Sequence, residues 1–490
     1  MAKKQQMSFG TFQVGDHAIF PRTFVKADFK TFSKLSGDAN PLHGDARYAA
    51  KSEFGRAIVP VHMTMSPMSM IAGMVMPGDP SLYLGHEVHA LKPVFFDEEI
   101  TYSARITAIN TAERILEINT IAFREDNAEV VMRATMRVQS RIEEWQQTPS
   151  PVTLAPRTRT ALVSGANGAI GSAVAKRLAG EGWGLILHHR GPAAVIKGLR
   201  DACKALGAAV TVCSADISTA KGQAKVTKLL SERADVEAFV HTASAPVLAE
   251  IEQHTPVSYN ALKAMANAVL PHMLGRQRGR VISIGSTAMH QPPAGWEDYA
   301  AAKGMAANYL SGLDKKYAIN GVHGVTVAPG YVLSAFSDSL RPEGVDALLP
   351  EEVAEQVADL AGADDIPAPY VLMTSGMTRV GRYDFRDQAF ERAAAPVVQA
   401  SPSSVHAAPT TQQKTSNNLA TFVRDFLKLP ADYDLGEAAL GETPGWDSLR
   451  HLELILALEK EFTVSFTSGE IEKTHLFATL ERVWVEKTGS

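Results

Sequence analysis

Thr160-Ala-Leu-Val-Ser164, then Gly165-Ala-Asn167-Gly168-Ala-Ile170-Gly171, then a helical run from Ser172 to Ala179: this order decides the fold of the middle of the chain. A short β-prone run with apolar residues reads as a buried parallel strand. A glycine turn that opens a helix lets backbone N–H groups and the positive helix end approach a pyrophosphate. Gly165, Asn167, Gly168, Ile170 and Gly171 are therefore candidate binding residues. Further strands alternate with helical stretches: Gly184-Leu-Ile-Leu-His188, Ala209-Val-Thr-Val-Cys213, Ala238-Phe-Val-His241, Arg280-Val-Ile-Ser-Ile284 and Gly324-Val-Thr-Val-Ala328. Alternation of this kind predicts an α/β, doubly wound parallel sheet.

The second strand ends in His188-His189-Arg190. An acidic residue there suits a ribose 2′-hydroxyl, whereas an arginine suits a 2′-phosphate, so Arg190 points to NADPH. Tyr299 and Lys303 are four apart and share a helix face. An ammonium beside a phenol favours the tyrosinate and lowers its pKa. Ser286 follows the Val-Ile-Ser-Ile strand, at the carboxyl edge of the sheet where ligands bind. The glycine turn, Ser286, Tyr299, Lys303 and Pro329-Gly330, in that order over 160–385, resemble the short-chain dehydrogenase/reductase family, in particular its ketoacyl reductases. The resemblance implies that Tyr299 donates a proton, Lys303 tunes it and holds the nicotinamide ribose, and Ser286 binds the substrate carbonyl. Asp216, in Ala-Asp-Ile, matches the residue that contacts adenine. Three positions depart from the family pattern. Ala169 replaces a glycine, His241-Thr-Ala-Ser244 replaces Asn-Asn-Ala-Gly, and Ser258, with Asn260 nearby, stands where the family has a proton-relay asparagine.

Upstream, residues 24–48 have a helical stretch followed by Leu35-Ser-Gly-Asp38-Ala-Asn40-Pro41-Leu-His43-Gly-Asp45. A Met-rich run over 63–76 reads as a buried helix, and alternating segments over 87–139 read as strands, an α+β pattern. Asp38 and His43 form an acid–base pair able to move a proton of water, with Pro41 stiffening the turn between them. Read alone, the two are equally at home in a surface turn. The run 35–45, with Phe54-Gly-Arg-Ala-Ile-Val59, Ser81-Leu-Tyr-Leu-Gly85 and Lys92-Pro-Val-Phe-Phe-Asp-Glu-Glu-Ile100, resembles the MaoC-like (R)-specific enoyl-thioester hydratases, which have a hot-dog fold. The resemblance covers most of 10–140. It implies that Asp38 and His43 activate the water added to, or taken from, a double bond, and that Ser69 supports them. The family has His-Gly after the Ile-Val pair, with the glycine N–H on the thioester carbonyl. Here Pro60-Val61-His62 follows: Val61 keeps an N–H, while its side chain narrows the approach.

Near the end of the chain stands Gly445-Trp-Asp-Ser448-Leu449, with Leu452 and Leu456 continuing at helical spacing. Ser is a favoured helix N-cap, but a capping box would place Glu or Gln at the position held by His451. The run resembles the prosthetic-group site of acyl and peptidyl carrier domains, which implies a small all-α four-helix domain with 4′-phosphopantetheine on Ser448 and a phosphopantetheinyl transferase as partner. Residues 417–490 have 13 acidic and seven basic residues, net −6, against −5 for all 490 residues. The balance offers nothing to nucleic acid or to an anionic membrane. There is no apolar run of membrane length and no signal peptide, and Cys203 and Cys213 lack metal or CxxC spacing, so the expected location is the reducing cytoplasm.

The expected organisation is a hot-dog domain over 1–145, a linker over 146–159, a dehydrogenase domain over 160–390, a Pro/Ala/Ser-rich linker over 391–417 and a carrier over 418–490. Both linkers have the composition of extended, mobile chain. The combination implies a multifunctional enzyme that processes acyl thioesters tethered to its own carrier, at the level of the 3-hydroxyacyl group. Separate loading or condensing enzymes would supply it, and the hot-dog and dehydrogenase domains imply a homodimer or higher homo-oligomer. Two alternatives stand beside this: catabolic hydration and oxidation of CoA esters, and a fusion in which one domain only docks the carrier.

Overall fold

The computed structural model describes residues 5–381 except 80 and 367, and beyond them residues 417–427, 429, 430, 433, 435, 438, 443, 454, 455, 457, 458, 462, 474 and 476–488. The chain divides into two compact units, Met1–Ala395 and Pro396–Ser490.

The first part of the larger unit is a five-stranded antiparallel sheet in the order β2 (His17–Thr23), β4 (Glu99–Asn110), β5 (Ile115–Arg124), β6 (Glu129–Ser140), β3 (Ser81–Ala90). β1 (Gln5–Ser8) pairs with β7 (Glu144–Gln147), so the domain runs two residues past 145. The Met-rich run is two short helices, Val61–Met65 and Pro67–Met74, rather than one. Pro67 at the start of the second lacks the N–H that would continue the hydrogen bonding of the first, although Ser66 before it keeps helical geometry at φ −55°, ψ −30°. Met63, Met68 and Ile71 from these helices meet Tyr102, Ile118 and Met136 from one face of the sheet in a common core. A helix wrapped by an antiparallel sheet is the expected hot-dog arrangement.

The second part is a doubly wound sheet in the order β10 (Val210–Ser214), β9 (Gly184–His189), β8 (Thr160–Ser164), β11 (Val236–His241), β12 (Gly279–Ile284), β13 (Val322–Pro329), β14 (Tyr370–Thr374). These seven are parallel, and β15 (Met377–Gly381) closes the edge antiparallel to β14. Apolar clusters lie on both faces, as burial of a parallel sheet requires. The strand order reverses between β8 and β11, so the crevice beyond their carboxyl ends is the ligand site.

The connection between the two domains was expected to be mobile; instead the domains pack into one compact unit. The outer face of the hot-dog sheet lies on the helix Ala261–Arg276, where Ile121 and Phe123 join Met265, Val269 and Met273 in one cluster. Ser103 Oγ donates to the Gly275 carbonyl at 2.7 Å, and Gln277 Nε2 donates to the Ser103 and Asn119 carbonyls at 3.1 and 3.0 Å. Gln277 holds this position in the left-handed region, at φ 48°. A Cβ on Gly275 would come 2.9 Å from Ile19 Cδ1, so a larger residue there would have to displace the end of the Ile19 side chain. The segment 148–159 has no helix or strand but is tied down. The Ala155 N–H donates to His17 O at 2.8 Å, and Arg157 donates to both oxygens of the buried Asp16 at 2.6 and 2.8 Å. Backbone and charged-pair bonds thus override a composition that reads as free chain.

In the smaller unit, the helices Asn417–Leu427 and Phe477–Thr488 place Leu419, Val423, Leu480 and Trp484 in one core with Leu454, Ile455 and Leu458. Ser448, Leu449, His451 and Leu452 lie outside the described residues.

Gln277 generates a stability prediction. Gln277→Ala removes the hydrogen bonds to the Ser103 and Asn119 carbonyls and to Ser103 Oγ and is expected to cost about 1–3 kcal/mol. Chemical denaturation should show it, and the single transition of the 5–381 unit should broaden or split as the joint weakens.

Candidate active sites

The first site is built by the loop after the helix Lys26–Ser36. Gly37, in the left-handed conformation at φ 77°, ends that helix. Asn40 then caps the short helix Pro41–Gly44 by accepting from the Leu42 N–H, and Asp38 Oδ1 accepts from the Asn40 N–H, both at 3.0 Å. Asp38 and His43 are brought together, as their spacing suggested. His43 Nδ1 lies 2.8 Å from the Ile58 carbonyl. A carbonyl only accepts, so Nδ1 carries the proton and the neutral ring has its lone pair on Nε2. That Nε2 is 3.9 Å from Asp38 Oδ2, too far for a direct hydrogen bond and within reach of one shared water. The Phe29 ring, 5.8 Å away, backs the imidazole. Val61 is the first residue of its helix, where an N–H has no acceptor within the helix. Ser69 is on the exposed face of Pro67–Met74, and among the described residues its hydroxyl has no hydrogen-bond partner; it is not bonded to Asp38 or His43.

The second site is a cleft of about 830 Å³ along the carboxyl edge of the parallel sheet. At one end is the glycine turn. Gly165 has φ 71°, and a Cβ there would come 2.8 Å from the Ala243 nitrogen. A Cβ on Gly171 would collide with the Gly165 carbonyl. The turn is thus a cradle that side chains would fill, and Asn167, Gly168 and Ile170 line it at the start of the helix Ala169–Gly180. Arg190, exposed at the end of β9, and Asp216 line the same end. Hydrogen bonds from the Ser218 hydroxyl and N–H hold the Asp216 carboxyl below its usual range, and the Arg190 charge adds to this.

At the other end, the helix Glu297–Tyr317 carries Tyr299 and Lys303 on one face, with Ser286 at the end of β12 and Pro329-Gly330 at the end of β13. Ser286 lines the cleft with Tyr299, and its Oγ accepts from the Ala288 N–H at 3.2 Å. Lys303 is 3% exposed and donates to the Ile284 carbonyl at 2.8 Å. The expected lowering of the tyrosine pKa is not what the site does. Burial pushes the Tyr299 phenol up to about 12, with the nearby Ser286 hydroxyl opposing. The ammonium is directed to a carbonyl and stands 5.7 Å from the Tyr299 ring centre, and burial brings Lys303 itself down to about 8. At pH 7 Tyr299 therefore keeps its proton and can donate it, while Lys303, still below its pKa, remains mainly an ammonium.

Sequence reasoning missed the groups that fix these side chains. Ile58 sets the His43 tautomer through a carbonyl, which no residue type advertises. Trp296, His254 and Phe336 wall the Tyr299 ring at 5.9, 5.6 and 6.4 Å, but they come from a helix end and two loops with no motif. The region of Ser258 is a single turn of π-helix, Pro256–Asn260, with the Ser258 hydroxyl buried.

Residues 12–122 match the family model described as MaoC like domain, and residues 159–344 match that described as short chain dehydrogenase. The (R)-specific enoyl-CoA hydratase of Aeromonas caviae is 34% identical over 122 residues, 25% of this chain and 91% of the relative. The acetoacetyl-CoA reductase of Allochromatium vinosum is 27% identical over 224 residues, 42% of this chain and 91% of the relative. The 2,3-dihydroxy-2,3-dihydro-p-cumate dehydrogenase of Pseudomonas putida is 32% identical over 186 residues, 35% and 70% of the two chains. The last two are named for different substrates, so likeness over the dehydrogenase segment does not by itself name one.

Lys303 provides a test of the cleft's electrostatics. Its folded-state pKa, about 8, is below the ordinary 10.5, so between these values the unfolded chain binds more protons and stability rises with pH. Lys303→Met is expected to stabilise the unit below pH 8, with the advantage shrinking as pH rises from about 8 to 10.5. Denaturation midpoints of the two proteins across that window check it.

Proposed function

The chain belongs to the MaoC like family through residues 12–122 and to the short chain dehydrogenase family through residues 159–344, and from that premise we propose that it interconverts 3-ketoacyl, 3-hydroxyacyl and enoyl thioesters with NADPH as reductant. The observation that carries the reading is that one compact unit contains two acid–base sets, whose implied chemistries meet at the 3-hydroxyacyl thioester.

At the first site His43 Nε2 takes a proton from the water during hydration, and Asp38 holds that water by accepting its other hydrogen bond. The reverse direction uses the same two groups. The Val61 N–H, without an acceptor at its helix start, polarises the thioester carbonyl in this proposal, as an oxyanion donor does. At the second site the Gly165–Gly171 turn and the helix start fit a pyrophosphate, because the cradle lacks the Cβ atoms that would fill it. Arg190 fits a 2′-phosphate and Asp216 an adenine edge. NADPH supplies the hydride. Tyr299 gives its proton to the forming alkoxide, Ser286 holds the carbonyl oxygen in line with it, and the Lys303 ammonium favours the tyrosinate left behind.

The C-terminal unit is proposed as an acyl carrier with 4′-phosphopantetheine on Ser448. Support comes from Gly445-Trp-Asp-Ser-Leu449 and from the net charge of −6 over 417–490, which suits a domain that must visit basic partner surfaces. A second reading also has an observation behind it: two of the relatives are named for CoA thioesters, so free acyl-CoA stands beside the tethered acyl group as a substrate.

Tyr299→Phe is expected to abolish NADPH oxidation by an acetoacetyl thioester and leave enoyl hydration intact, measured by absorbance of the cofactor and of the enoyl thioester. Asp38→Asn, His43→Ala and the double variant should lose hydration to similar extents, because the two groups act on one water, with ketoreduction unaffected. Arg190→Asp should move cofactor preference from NADPH toward NADH in the same assay. Incubation with CoA and a phosphopantetheinyl transferase should raise the intact mass of the wild type by one phosphopantetheine and leave Ser448→Ala unchanged.

A further inference from the structure

We infer that His241 is a positioning residue of the reductase: a buried neutral histidine that holds the π-helical turn Pro256–Asn260 in place against the cleft and the catalytic helix. His241 ends β11 and is fully buried. Its Nε2 is 3.0 Å from the Val257 carbonyl and its Nδ1 is 2.7 Å from Ser164 Oγ. The carbonyl only accepts, so Nε2 carries the proton and Nδ1 accepts from the Ser164 hydroxyl. Both ring nitrogens are satisfied in one tautomer. Burial, with the Lys303 charge adding to it, brings the pKa to about 3, so the bridge persists through the neutral range.

The bridge joins two places that matter. Ser164 directly precedes Gly165 of the glycine turn. Val257 lines the cleft, inside the turn that lies against the helix bearing Tyr299 and Lys303. In an α-helix the Ala261 N–H would donate to Val257 O; here it donates to Pro256 O. His241 donates to the carbonyl that this shift releases. Without that donor, winding the turn back to α-helical pairing becomes the way to satisfy the carbonyl, and it would rotate Val257 and Ser258 relative to Lys303.

Two departures seen in the sequence are therefore neighbours in space. His241 stands where asparagine is common, and Ser258 stands where the relay asparagine is common. Among the described residues the Ser258 hydroxyl has no hydrogen-bond partner, so its side chain does not hold the turn. The bond from His241 to the adjacent residue's carbonyl does.

The inference rests on the reductase reading, and the experiment separates the two. The proteins are the full chain, His241→Phe, which keeps a ring and loses both bonds, and His241→Gln, whose amide retains a donor and an acceptor. Loss of the Val257 bond is expected to lower kcat for NADPH-dependent reduction of acetoacetyl-CoA about tenfold, with the NADPH Kd, followed by fluorescence, changing by less than about threefold. His241→Gln should recover most of kcat, and hydratase activity should be unchanged in all three proteins, which verifies the fold. Amide exchange at 257–261 should accelerate in His241→Phe, whatever the substrate. A wild type that reduces no thioester sinks the reductase reading, and the exchange measurement still decides the role of His241. Undiminished kcat with unchanged exchange in His241→Phe overturns the inference. So does a joint loss of kcat, NADPH affinity and hydratase activity that His241→Gln does not repair, since that is the signature of a merely structural residue.

Discussion

The hot-dog sheet is covered on both faces along β4 and β5, while its edge strand β3 is largely exposed. Its inner surface closes on the Met-rich helices, and its outer surface is pressed on the helix Ala261–Arg276 of the neighbouring parallel sheet. Strand β4 shows the consequence: five successive residues from Ile100 to Ala104 are buried, where a sheet with one solvated face would alternate. Burial on both sides makes the polar positions costly unless each is paired. Ser103, Gln277 and Arg105 supply the pairing across the joint, with Arg105 donating to the Arg276 carbonyl at 3.0 Å. The same constraint explains why 148–159 is tied down: a short connection between two bodies locked together has little room to wander.

Both sites use one electrostatic device. A buried or half-buried histidine donates one ring N–H to a main-chain carbonyl, His43 to Ile58 and His241 to Val257, and the other nitrogen is thereby committed as an acceptor. At the first site the acceptor faces Asp38 and is free for chemistry. At the second it is used up by Ser164, and the residue is structural support for the reacting groups. Lys303 follows a related rule: its ammonium is anchored on the Ile284 carbonyl, and burial brings it toward neutrality while raising Tyr299. At both sites a main-chain oxygen fixes a histidine tautomer, and at the second desolvation sets the protonation state more than neighbouring charges do.

Much of this was legible in the chain. The strand, glycine turn and helix at 160–179 and the repeated apolar runs determined the doubly wound sheet, because parallel strands buried on both faces must be apolar throughout. Tyr299 and Lys303 four apart, Ser286 at a strand end, and Asp38 and His43 about a proline turn named the candidate reacting groups, because helix periodicity and turn chemistry are local. Other features were decided only by tertiary structure. The joint depends on Gly275 and Gln277 meeting Ile19, Ser103 and Asn119, residues more than 150 positions away in sequence. The tautomers of His43 and His241 depend on carbonyls, which every residue possesses and no residue type reveals. The pKa values of Tyr299 and Lys303 depend on how deeply the aromatic walls bury them. Local pattern specifies elements and chemical candidates; desolvation and long-range main-chain hydrogen bonds exist only once the chain has closed on itself, and they set how those candidates behave.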